Sequence, residues 1–156
     1  MPRAVRRFSV LSGVALCAIL GGPIAVAQAS DNTIRQTLNS FAPKIVKDEN
    51  AVKSGLKGYP KGKVRPLVKA LNHEVADLHA LKSKLSHEHA SSARGRKGKN
   101  NVVAGLGLIA KAYGALRSDV QAAHGGPVPA SQVTAAQNTD KKGRAKLLKG
   151  LHLLST

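Results

Sequence analysis

Three histidines and six basic side chains are the residues here whose type and spacing could do chemistry. His87 and His89 stand two apart, and His152 lies near the C-terminus. Three imidazoles gathered at one point could hold zinc or copper. Arg94, Arg96, Lys97 and Lys99 alternate with Gly95 and Gly98, while Lys146 and Lys149 recur near the C-terminus. Guanidinium and ammonium groups bind phosphates and carboxylates through charge-assisted hydrogen bonds, without needing a shaped pocket. Those six are the candidate anion-binding set, and the three histidines the candidate metal set. The metal reading has a competitor: histidines at helix C-termini also suit the helix dipole with no ligand present.

Catalytic patterns are missing from the sequence. It contains no G-x-S-x-G elbow, no H-E-x-x-H pair and no G-x-x-x-x-G-K-[ST] loop. Asp48 and Glu49 are adjacent, so on a helix they point about 100° apart and make no facing acid/base pair. A di-iron bundle uses Glu-x-x-His. Glu49, Glu74 and Glu88 are instead followed three residues on by Val52, Asp77 and Ser91. A c-type haem would need C-x-x-C-H, which is also missing. The expectation is a non-enzymatic binding protein with no cofactor, zinc or copper at the histidines being the one alternative.

Charge bounds the partners. The chain carries 25 Lys and Arg against 8 Asp and Glu, a formal net charge of +17. Such a bias attracts anionic cell-surface polymers and lipids, and also nucleic acid. Single-strand nucleic-acid binders stack bases on aromatic platforms. Beyond residue 29 only Phe41, Tyr59 and Tyr113 are aromatic, and they are far apart in sequence. Nucleic acid therefore ranks low among the partners.

The N-terminus reads as an export signal. Arg3, Arg6 and Arg7 precede an apolar run from Phe8 to Val26, closed by small residues around Ala25, Ala27 and Ala29. Charge, then an apolar stretch, then small residues is the pattern of a secretory signal peptide, cleaved here near 27 or 29. The destination would be the cell envelope or the exterior. The alternative is an uncleaved membrane anchor, which Gly21, Gly22 and Pro23 disfavour. Cleavage would remove the only cysteine, Cys17, and lower the net charge to +14.

Residues 30–156 must then position the candidate groups without disulfides, as one domain. Three Gly/Pro-rich breaks, at 55–62, 91–101 and 125–129, separate four stretches of helical periodicity. The spacing predicts helices over about 31–54, 64–90, 101–124 and 131–153. The fold expected is all-α, a small antiparallel up-and-down four-helix bundle preceded by a signal-peptide helix. Pro43 should kink or restart the first helix. In the second, Val64, Val68, Leu71, Val75, Leu78 and Leu85 should share one face, with Leu67 and Leu81 flanking it. Arg94 to Lys99 should lie in a mobile loop, and Ser131 should cap the fourth helix. Gly105, Gly107 and Gly114 either permit close helix approach or are merely tolerated. The last helix, cationic and Leu-rich, could complete the core or lie on an anionic membrane.

Overall fold

The computed structural model describes residues 29–155. Residues 1–28, on which the export-signal reading rests, lie outside them. Four helices follow in order: α1, Ala29–Gly58; α2, Val64–His87; α3, Ala93–Ala122; and α4, Ala130–Ser155. A short 3-10 turn, Tyr59–Lys61, follows α1. Among the described residues there is no strand, and the helices pack as a bundle.

α1 runs through Pro43 without a break, so the helix does not restart there. Proline inside a helix costs about 3 kcal/mol. Ile34 and Leu38 before it, and Ile45 and Val52 after it, are buried. Each such burial stabilises by about 1.5–3 kcal/mol, so the seam outweighs the proline. Pro43 itself is exposed, where water can serve the carbonyl it leaves unpaired. The helix also passes the expected stop at Gly55 and ends at Gly58. Gly62 closes the turn at φ 77°, a left-handed conformation that suits glycine.

The buried face of α2 is turned from the predicted one towards the flanking Leu67 and Leu81. Leu67, Leu71, Leu78, Leu81 and Leu85 are buried, while Val64, Val68 and Val75 are only half-buried. Counting the fully buried Glu74, the seam steps four, three, four, three and four along 67, 71, 74, 78, 81 and 85. An unbroken alternation of this kind is the seam of helix–helix packing. α2 stops at His87 rather than near 90, and Glu88 is already extended.

α3 starts at Ala93, more than two turns earlier than expected, so Arg94 to Lys99 lie on a helix and not in a mobile loop. Ser92 caps it: its Oγ accepts from the Gly95 N–H at 2.8 Å. α4 begins at Ala130, with the Pro129 carbonyl accepting from Gln132 and Val133 N–H; Ser131 is inside the first turn.

The most extensive contact is between α3 and α4, and glycine makes it. A Cβ on Gly105 would lie 2.7 Å from the Gly143 carbonyl oxygen and the Leu147 nitrogen. One on Gly150 would lie 2.7 Å from the Gly98 oxygen and the Val102 nitrogen. Leu154 rests on Gly98 and Ile109 on Gly143. Each helix thus drops large side chains onto the glycines of the other. As numbers rise along α3 they fall along α4, so the two run antiparallel. Gly107 meets only the tip of Lys82, and Gly114 meets nothing within 4 Å, so neither brings helices together.

Leu147, Leu151 and Leu154 of α4 are in the core. Leu148 alone is an exposed large apolar residue among the described ones. No helix among the described residues is long and apolar enough to cross a membrane. Arg35, buried on α1, donates to the Leu154 carbonyl and so answers the open C-terminal end of α4.

Candidate functional site

The apolar core is in two parts. One contains Ile34, Leu38, Ile45, Leu78, Leu85, Ile109 and Leu151. The other contains Val52, Leu67, Leu71, Leu116, Val120 and Val133. The boundary falls at a layer of polar side chains, at least one from every helix: Glu49 of α1, Glu74 of α2, Tyr113 of α3, and Asp140 and Arg144 of α4. Glu49, Glu74 and Asp140 are 3%, 0% and 2% exposed.

Arg144 is the hub. Its Nε donates to Asp140 Oδ2 at 2.8 Å, one turn back on the same helix. Its Nη2 donates to Glu49 Oε1 at 3.3 Å and to the Tyr113 hydroxyl at 3.2 Å. Burial alone would push the guanidinium towards losing its proton; Tyr113, Asp140 and Glu49 outweigh that and hold it charged. Burial raises the pKa of both Glu49 and Asp140, with Arg144 pulling against it.

Three acids meet one cation here, and Arg144 bonds only two of them, so one carboxyl is left over. It is Glu74, whose two oxygens find no hydrogen-bond partner among the described residues. Burial, then Glu49 and Asp48, push its pKa up to about 9, so Glu74 is a neutral acid at physiological pH. Unfolded, its carboxyl ionises near 4.5. Between those values the folded chain holds a proton that the unfolded chain has lost. Stability must therefore fall as pH rises from about 4.5 towards 9, by about 3 kcal/mol from this group by pH 7. Glu74→Gln removes that slope. Urea midpoints across pH 5–9 should be flatter and higher above neutrality for the variant; parallel profiles would refute the assignment.

A second carboxyl pair lies on the α1–α2 side. Lys44 donates to Asp77 at 2.9 Å. Burial and the neighbouring Asp77 raise the pKa of Asp48. Burial also acts on Asp77, but hydrogen bonds from Lys44 and Asp48 win and lower it. Asp77 therefore carries the charge and Asp48 holds the proton longer.

Hiding acids has a consequence outside. Among residues whose exposure is described, no Asp or Glu is exposed, whereas Lys and Arg are exposed along all four helices. Arg94, Arg96 and Lys97 are exposed in the opening turns of α3. Lys99 is half-buried and donates to the Glu88 carbonyl at 2.7 Å. Lys146 and Lys149 are exposed near the end of α4. The Gly98–Gly150 contact sets these two helix ends side by side, so the elements bearing the six cations are neighbours. Lys57, Lys61, Lys63, Arg65 and Lys69 make the opposite end of the bundle basic as well.

His87, His89 and His152 are exposed. Among the described residues no three His, Cys, Asp or Glu side chains are grouped so as to hold a metal ion, and these three histidines are not brought into such a group. The buried layer around Arg144 was missed in sequence, although its signal was present. Glu74 and Asp140 each occupy a position that completes the alternating seam of their helix.

No family model, curated protein or solved structure matches this chain. Function must therefore be argued from the geometry.

Proposed function

We propose that this protein is a non-enzymatic, exported or envelope-associated up-and-down four-helix bundle that adheres to anionic polymers or lipid surfaces. One observation carries the reading: Glu49, Glu74 and Asp140 are buried in the Arg144 layer, and among the residues whose exposure is described the exposed charge is basic on every helix. The field outside the molecule is thus more uniformly positive than the composition alone implies, and such a field concentrates polyanions at the surface. The cations at the start of α3 and the end of α4 are its densest part. The N-terminal end of α3 adds the positive end of a helix dipole. With no acid in the first turn of α3, nothing offsets it.

The test is retention of the purified protein on sulfated or phosphorylated supports against an uncharged one. Strong retention is expected at low salt, with release before about 1 M, where the screening length falls to about 3 Å. Replacing Arg94, Arg96 and Lys97 by Gln should lower the eluting salt without abolishing retention, because the charge is distributed. Weak retention at low salt, or retention indifferent to salt, would end the proposal.

A further inference from the structure

We infer that the groove between α1 and α2, beside their connecting turn, is a binding site for a small phosphate-bearing molecule. It is a separate feature from the Arg94–Lys149 set, which lies at the other end of the bundle, and it does not depend on the adhesion reading. The groove has a volume of about 710 Å³, the size of a small-molecule site.

Small residues create it. Ala51 and Gly55 of α1 and Ala70 of α2 line it, so no bulky side chain fills the space between the helices. Gly55 also lets the helices close behind it, since a Cβ there would lie 2.7 Å from the Leu67 Cα. Basic side chains border this floor: Lys47 from α1, Lys63 from the turn, and Lys69 and His73 from α2. All four are exposed, and none of the three lysines is in an ion pair among the described residues. Ser54 adds a hydroxyl. The one carboxyl in the lining is Asp48, which is buried whereas the lysines are exposed.

The ligand class follows from that arrangement. Three ammonium groups and an imidazole, from two helices and a turn, line one trough along its length. A phosphate accepts from several donors at once, and lysine binds it as a point charge. The uncharged remainder of the molecule would lie along the Ala/Gly floor. Another groove, on the far side of α2, shares Lys69 but is walled by Val64 and Val68 and has fewer cations.

Backbone-amide NMR would test this with inorganic phosphate, sn-glycerol 3-phosphate and phosphatidylglycerol vesicles as separate probes. Saturable shifts confined to 47–58 and 63–73 are expected. Lys47→Gln with Lys69→Gln should weaken binding at least tenfold. Ala51→Phe fills the trough from an exposed position without altering charge, and should do the same. Lys84→Gln with Lys111→Gln, exposed lysines outside the groove and outside the Arg94–Lys149 set, should leave the affinity within twofold. A response to the free phosphates alone marks a soluble ligand, and one shared by the vesicles marks a lipid head group. Non-saturating shifts scattered over the surface lysines would overturn the inference, as would unchanged binding in Ala51→Phe. Salt-sensitive retention on anionic supports could persist in either case, so the groove and the adhesion reading fail separately.

Discussion

Arg144→Met should destabilise the bundle by about 3–5 kcal/mol at neutral pH, the cost of leaving buried charge without its partner. Arg144 bonds both Glu49 and Asp140 in this layer, at 3.3 and 2.8 Å. Without it the two carboxyls, already raised in pKa by burial, lose the group that opposes the rise. Methionine keeps much of the length of the side chain, so lost packing contributes little. Equilibrium urea unfolding measures the effect.

The sign with pH separates this from a simple packing defect. In the variant the folded-state pKa values of Glu49 and Asp140 rise further above their unfolded values. Their native forms then hold protons that the unfolded chain releases, so the loss should shrink as pH falls towards 4 and grow towards 8. Adding Glu49→Gln and Asp140→Asn to Arg144→Met should recover most of the stability, because replacing a whole buried ionic group is often neutral or better. A pH-independent loss, or no recovery in the triple variant, would show that the layer is not held by Arg144.

Gly150→Ala should have the next largest effect, a loss of about 1–3 kcal/mol. Helix propensity alone predicts the opposite, a gain of about 1 kcal/mol. The contact decides against propensity: the new methyl would lie 2.7 Å from the Gly98 oxygen and the Val102 nitrogen and Cγ2. Backbone atoms of α3 cannot swing aside as a side-chain tip can, so the helices must part along their tightest contact. Gly105→Ala meets the same obstacle at the Gly143 oxygen and Leu147 nitrogen. Gly114→Ala is the internal control. Nothing lies within 4 Å of it, so propensity should prevail and the melting temperature should rise. Equal responses at 114 and 150 would refute the close-packed account of α3 and α4.

Much of the fold is legible in the residues themselves. The alternating spacing of Leu67, Leu71, Leu78 and Leu85, and of Val102, Leu106, Ile109 and Leu116, commits both segments to helices with one apolar face. The Gly/Pro clusters mark the turns, though not their limits. Gly55 and Gly98 read as breaks because glycine weakens a helix in isolation. In the fold each sits where another helix presses on it, and packing outweighs a penalty of about 1 kcal/mol. Pro43 misleads for the same reason.

The candidate site was only partly readable. The cations at 94–99 and at 146 and 149 are plain in the sequence, and so is the net charge. Glu74 and Asp140 look like surface residues in a helical seam until their burial is known. A carboxyl's cost depends on what surrounds it, and its partners here lie on other helices: Glu49 and Arg144 are 95 positions apart.

The sequence by itself determines that this is an all-helical chain with a large excess of positive charge, because periodicity and composition are local properties. Only the tertiary structure decides where the negative charge goes. Folding draws Glu49, Glu74 and Asp140 around one arginine, leaves one carboxyl protonated, and, among the residues whose exposure is described, leaves the exposed charge basic on every helix. Spacing marks Glu74 and Asp140 as seam positions, but which cation they meet depends on contacts between residues distant in the chain.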